Sequence, residues 1–265
     1  MSFKKFLSIA IIASLAMTLG ACKVEKKAES NISISNETGS EKDSANKDKH
    51  EGIVLSVESI DISDIEGDKT YQTIRYAVVT CENNKALQKS LDVLNANMKK
   101  AAEEFKSNTK DEIRQFIKDN PDMKDIESSH TADVTITRND DKYLSLMEFV
   151  YEYAMGAHGN YVQNGYVYDV KTGKELKFTD FIKDKEEFRA FLKKWVKEHN
   201  DEYAMFDTAN DTIDGYVDGK YDLQFYLTDK MVVVFQPYEV APYAAGLIEI
   251  NVDDDLIKVK LNDIR

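Results

Sequence analysis

The chain has 265 residues, a formal charge of −13 and 42% hydrophobic residues, among them 14 Tyr and 12 Phe. That apolar content is enough for a packed core and excludes global disorder. An acidic surface repels phosphate backbones and anionic headgroups, which argues against nucleic acid and against a peripheral lipid-binding face. Basic partners are favoured by steering, although solubility alone accounts for the charge as well.

Lys4 and Lys5, the apolar run from Phe6 to Leu19 and the small residues Gly20 and Ala21 form the three regions of an export signal. The apolar run is too short for a comfortable membrane span. Leu19-Gly20-Ala21-Cys22 looks like a bacterial lipobox, so cleavage after residue 21 and lipidation of Cys22 are expected. That would anchor the protein outside the cytoplasm, on a cell membrane or an outer membrane. The mature chain would have 244 residues and a charge of −15, room for one domain or two closely packed halves. Residues 22–51 are polar and nearly free of large apolar side chains, a tether with a reach of roughly 30 Å. With Cys22 taken by lipid, Cys81 has no partner. Its phase with Ala77 and Val79 makes it a small core side chain rather than a nucleophile.

The folded part opens with a predicted hairpin, Ile53 to Ile62 and Tyr71 to Cys81, turning at Asp64, Glu66, Gly67 and Asp68. Leu87, Leu91, Leu94, Met98, Ala101 and Phe105 share one face of a helix. Thr109 and Glu112 resemble a capping box that restarts a second helical segment with Ile113, Phe116 and Ile117, which Pro121 ends. Ala132, Val134 and Ile136 alternate as a strand. Tyr143 to Tyr153 follows, with Met147, Phe149, Tyr151 and Tyr153 on one side and Glu148 and Glu152 on the other. Met155 to Asn160 connects to a strand from Tyr161 to Val170, and Lys171 to Lys174 is a turn. Asp184 and Glu187 cap an amphipathic helix with Phe188, Phe191, Leu192, Trp195, Val196 and His199 facing inward, His199 lying near the last carbonyls. Asp207 to Asp222 reads as an acidic loop. Leu223 to Leu227, Met231 to Phe235 and Leu247 to Val252 read as strands, the second buried on both faces. The expected fold is α+β with mainly antiparallel sheet, a long helix in the first half and an amphipathic helix in the second. Residues 52–128 would form a hairpin-plus-helix module, with residues 129–265 an α+β module packed on it.

Catalytic signatures are sparse. The chain has no G-x-S-x-G, Gly-rich phosphate loop, H-E-x-x-H or paired-Cys motif. The Asn210-to-Gly215 stretch places Thr212 and Tyr221 where a calcium loop needs better ligands, and His50, His130, His158 and His199 lack metal-ligand spacing. No cofactor or metal is expected. Gly156-Ala157-His158-Gly159, between two aromatic strands, does stand out. Its glycines would permit positive φ and close backbone approach, leaving His158 exposed or bonded to neighbouring backbone. A lone His suits binding better than catalysis.

Several separated motifs then occur in a distinctive order. They are Tyr153-Ala-Met-Gly-Ala-His-Gly159, Gly165-Tyr-Val-Tyr-Asp169, Thr172-Gly-Lys-Glu-Leu176 with Asp180, Phe225-Tyr-Leu-Thr-Asp229 and Pro237-Tyr-Glu-Val-Ala-Pro-Tyr-Ala-Ala-Gly246. Over about Tyr143 to Val252 the chain resembles the RsiV-like extracytoplasmic domain family, and the preceding hairpin and helix resemble the module that usually precedes it. Met155 departs from the family pattern, which often has glycine there. The resemblance implies an α+β fold. It also implies roles that range from lysozyme binding in anti-sigma factors to attachment beside a peptidoglycan deacetylase. This chain is expected to carry neither a cytoplasmic anti-sigma segment nor a deacetylase domain. The expectation is therefore a lipid-anchored, non-catalytic binding module for lysozyme, another basic envelope protein or peptidoglycan. His158, Gly156, Gly159, Tyr238 and Tyr243 are its candidate binding residues. A peptidoglycan-modifying enzyme and an envelope scaffolding lipoprotein are the alternatives.

Overall fold

The computed structural model describes residues 53–123 and 126–261. The export signal, Cys22 and the tether expected within residues 1–51 lie outside the described residues.

The first half builds one sheet and its covering helix. Strand β1 (Leu55–Asp61), the short β2 (Asp64–Glu66) and β3 (Lys69–Cys81) form the expected hairpin, with β1 and β2 both antiparallel to β3. Helix α1 (Lys85–Asp119) then carries the chain across to β4 (Ser128–Asn139), which pairs with β3 in parallel; β5 (Tyr143–Tyr153) and β6 (Asn160–Asp169) continue antiparallel. The strand order is β1-β3-β4-β5-β6, so the sheet is mixed rather than antiparallel throughout. A parallel neighbour requires a long crossover, and α1 supplies it.

Helix α1 is one uninterrupted element of 35 residues, about 52 Å by the standard rise. The expected restart at Thr109 does not occur. Thr109 is buried, and its hydroxyl donates to the Phe105 carbonyl at 2.9 Å while accepting from Gln72 Nε2 at 2.7 Å. A residue that could have capped a new helix is instead satisfied within the existing one. Asn84 caps the N-terminus through Ala86 and Leu87 N–H, and Asn120 before Pro121 ends the helix. Leu87, Leu91, Leu94, Met98 and Ala102 pack on Ile74, Val79, Cys81, Leu144 and Leu146 of the sheet.

The second half lies against the opposite face. After α2 (Phe178–Phe181) come α3 (Lys185–Glu198), α4 (Asn200–Tyr203) and α5 (Ala209–Val217). Asp184 caps α3 as expected, and His199 Nδ1 bonds the Trp195 carbonyl at 2.8 Å. Helix α5 occupies the stretch read as an acidic loop. Ala209, Ile213, Tyr216 and Val217 recur at helical spacing and are buried, an apolar stripe hidden among Asn, Asp and Gly. A second antiparallel sheet, β7 (Gln224–Leu227), β8 (Met231–Phe235) and β9 (Ile248–Asn251), has α3 and α5 on one face, and every residue of β8 is buried.

The two sheets meet closely. Leu227 N–H donates to Ser145 Oγ at 2.8 Å, and Gly165 N–H to Gln224 Oε1 at 3.1 Å. A Cβ on Gly165 would lie 1.8 Å from the Phe225 carbonyl oxygen, so only glycine admits β7 against β6 here. Arg138 clasps the same seam, donating to the carbonyls of Thr228 and Leu261. Tyr143 and Val167 of the first sheet belong to the same core cluster as Phe181, Phe225 and Leu227.

Candidate functional site

Beyond the reach of β7, the same face of β5 and β6 carries Phe149, Tyr151 and Tyr161, with Tyr151 and Tyr161 directly opposite in register. Directly opposed residues of antiparallel strands share a face. Two loops fold over this patch. The β5–β6 connection brings His158 and Gly159, and the loop after β8 brings Tyr238 and Tyr243. His158 stacks on Tyr243 with centroids 4.3 Å apart and planes at 27°. Tyr161 and Tyr238 pack against Tyr243 at 5.4 and 5.5 Å, and Phe149 stacks on Tyr161 at 5.9 Å.

Backbone acceptors hold the rings. The Gly159 carbonyl receives Tyr243 Oη at 2.6 Å and is 2.9 Å from His158 Nδ1. Because a carbonyl only accepts, Nδ1 carries the proton, and in the neutral ring Nε2 is an acceptor. Burial raises the Tyr243 phenol above its ordinary range, with the neighbouring Tyr161, Tyr151 and Tyr238 adding to the shift, so it remains an O–H donor. The loop after β8 is braced from below. Gln236 exchanges two hydrogen bonds with the backbone of Gln163, at 2.8 and 2.7 Å. Glu239 accepts from Gln236 N–H at 2.7 Å and from the Tyr216 hydroxyl.

The structure thus gathers four of the five candidate residues, Gly159, His158, Tyr238 and Tyr243, from segments some 80 residues apart. Gly156 lies in the same loop but is exposed, and a Cβ added there would meet nothing nearer than the His158 carbonyl oxygen at 3.5 Å. Positive φ in this loop falls on Met155 (58°), not on either glycine. Met155 stands where the resembled family often has glycine, and this backbone conformation is the one glycine adopts without strain. Gly159 does serve close approach, since a Cβ there would lie 2.4 Å from the Tyr151 ring. Phe149, Tyr151 and Tyr161 escape sequence reasoning as site residues because alternating aromatics read equally well as core.

A second polar group lies on the other face of the first sheet, under α1. His130 is 1% exposed, contacts Glu152 Oε1 through Nδ1 at 2.9 Å and packs against Phe105. Its Nε2 and Gln72 Oε1 are buried and without a hydrogen-bond partner. Despite its carboxylate, His130 faces the interior and presents nothing to a substrate. Glu148 is also buried, at 5% exposed, where it accepts from Asn164 Nδ2 and Tyr166 Oη at 2.9 Å each. Among the described residues no group of three or more His, Cys, Asp or Glu side chains converges to hold a metal ion, and no helix is long and apolar enough to cross a membrane.

Comparison with known proteins gives two partial family matches. Residues 65–161 match the model of the family described as deacetylase PdaC, and residues 179–255 that of a protein family of unknown function, DUF3298. No curated protein matches. Among solved structures, a DUF3298-family member from Bacteroides fragilis is similar at 16% identity with a TM-score of 0.52, covering 79% of this chain and 96% of that one. A DUF3298-family protein from Pseudomonas aeruginosa PAO1 is 18% identical with a TM-score of 0.49, covering 78% and 96%. The first likeness shows a shared fold, the α+β architecture described above.

Proposed function

We propose that this is an extracytoplasmic, RsiV-like binding module, anchored through lipid on Cys22, that recognises lysozyme, another basic envelope protein or a cell-wall component. Its binding face would be the cluster of His158, Tyr238, Tyr243, Tyr161 and Tyr151. The observation that carries this reading is Tyr238. It is 58% exposed and held at φ 71°, a left-handed conformation that is costly for a bulky residue. The contact of this ring with Tyr243 offsets strain and exposure only in part, and such costs concentrate where a protein meets a ligand.

A binding role is better supported than an enzymatic one. Among the described residues, the hydrogen bond of His158 goes to a backbone carbonyl rather than to a carboxylate or nucleophile, so no acid–base pair is formed at the face. The match of residues 65–161 to a deacetylase-named family bears on the envelope setting, because peptidoglycan chemistry is carried out there.

The test is co-sedimentation of the chain from residue 22, bearing Cys22→Ser, with insoluble cell wall, together with an affinity measurement against lysozyme. The wild type should bind at least one of them, and a His158→Ala/Tyr238→Ala protein should lose that binding while keeping its melting temperature within a few degrees. Failure of the wild type to bind either ligand overturns the reading.

A further inference from the structure

Two chemically different ligands are compatible with an aromatic face, a cationic protein surface and a carbohydrate. They make opposite demands on the charges around the rings. A Lys or Arg side chain delivered by a partner loses hydration and needs a carboxylate in reach, because stacking on an exposed ring alone contributes little. A sugar ring needs flat apolar surface for its C–H face and neutral donors and acceptors at the edge.

The cluster is electrically neutral. Its polar atoms are the Tyr151, Tyr161 and Tyr238 hydroxyls and the Nε2 edge of His158. Two acidic residues on the bracing elements already accept hydrogen bonds: Glu239 from Gln236 N–H and the Tyr216 hydroxyl, and Glu249 from Gln163 Nε2 and the Tyr226 hydroxyl. Asp133 shares the sheet face on β4, directly opposite Phe149 at the rim of the cluster, and lies two strands, roughly 10 Å by strand spacing, from Tyr161 on β6. None of the ion pairs of the described residues involves a residue of the cluster. None of the rings' own side chains is a carboxylate, Lys or Arg, so the cluster itself offers a cationic partner no counter-charge.

The face is also pre-organised. Stacking of His158 on Tyr243, with both tied to the Gly159 carbonyl, fixes two rings before any ligand arrives, which lowers the ordering cost of binding. Tyr238 extends this surface outward from the strained turn that its own φ defines.

We propose that the His158–Tyr238–Tyr243 face binds a neutral glycan bearing hydroxyl and amide groups, with sugar rings lying against Tyr238 and Tyr243 and an N–H or O–H of the ligand donating to His158 Nε2. The proposal rests on the binding-module reading and selects one ligand class within it.

The probe is tetra-N-acetylchitotetraose, titrated calorimetrically into the chain from residue 22 bearing Cys22→Ser, at about 20 and about 300 mM salt. Binding to a neutral ligand is unaffected by screening, so the two affinities should agree within about twofold. Tyr238→Ala should weaken binding about tenfold with an unchanged melting curve, and His158→Phe, which keeps the stack but removes the acceptor, should weaken it by several-fold. Absence of binding at millimolar probe, or equal binding by the Tyr238→Ala protein, overturns the proposal. A parallel titration with lysozyme separates the glycan assignment from the binding module itself. Salt-sensitive, Tyr238-dependent binding of lysozyme without binding of the glycan sinks the glycan assignment and leaves the binding module standing. If neither binds and cell wall is not retained, both fall.

Discussion

Replacing Gly165 by Ala tests how the two sheets are joined. The added Cβ would sit 1.8 Å from the Phe225 carbonyl oxygen and 2.5 Å from its carbon, where ordinary contact begins at 3.4 Å. Both neighbours are backbone, so no side-chain rotation relieves the overlap and β7 must withdraw from β6 by roughly 1.5 Å. Overpacking of this kind costs about 1–3 kcal/mol. The hydrogen bonds Leu227 N–Ser145 Oγ and Gly165 N–Gln224 Oε1 cross the same seam and would stretch with it, adding about 1 kcal/mol each. The expected loss is therefore about 3–5 kcal/mol, or about 6–20 °C in melting temperature for a domain of this size. Urea unfolding followed by circular dichroism measures it. Gly156→Ala is the control, since a Cβ there would make only an ordinary contact, 3.5 Å from the His158 carbonyl oxygen, and Gly156 has no positive φ; it should change stability by less than about 0.5 kcal/mol. A Gly165→Ala protein within about 1 kcal/mol of wild type would refute the described packing.

Three further outcomes follow from particular residues. Burial raises the Glu239 carboxyl above its ordinary value of 4.5, although the hydrogen bonds from Tyr216 and Gln236 pull the other way. A carboxyl raised on folding stabilises the fold below its unfolded pKa, and that contribution disappears as pH rises through the folded value. Urea midpoints from pH 4 to 8 should therefore fall less steeply with pH for Glu239→Gln than for wild type, and parallel profiles would contradict this. Tyr238→Gly exchanges relief of left-handed strain, about 1–2 kcal/mol, against a more flexible unfolded chain and a lost ring contact, each about 0.5–1.5 kcal/mol. Its unfolding free energy should stay within about 1 kcal/mol of wild type, whereas a loss of about 3 kcal/mol would mark the ring as core. Cys22→Ala in the full chain should move the protein from the membrane to the soluble fraction on cell fractionation; retention at the membrane would rule out lipid on Cys22 as the anchor.

Local signals make most elements legible. The period-two pattern of Tyr143 to Tyr153, the continuous apolar run of β8 and the cap at Asp184 each have one short-range physical cause, and each appears in place. Sequence and structure part where tertiary partners decide. Thr109 resembles a cap only until Gln72 and the Phe105 carbonyl are seen to satisfy it inside α1. Helix α5 is hidden by turn-forming residues, although Ile213 and Tyr216 pack it into the core. The parallel pairing of β3 with β4 depends on the span of α1, which a broken-helix reading conceals.

The site is legible only in pieces. His158, Gly159, Tyr238 and Tyr243 can be nominated from glycine placement and motif likeness, but their meeting at the Gly159 carbonyl is a long-range contact. Phe149, Tyr151 and Tyr161 give no separate signal, because the sheet they line is covered by β7 further along and open at their end. Strain at Tyr238 has no signature in residue type, and that at Met155 is hinted at only by the glycine the resembled family often has there.

The central claim is that the rings around His158 form the binding face. Amide chemical-shift mapping of the isotope-labelled chain tests it most directly, with soluble cell-wall fragments or lysozyme as titrant. Shifts should concentrate in residues 149–161 and 236–246 and be abolished by His158→Ala/Tyr238→Ala. Shifts concentrated on α3 and α5, or undiminished in the double variant, would contradict it.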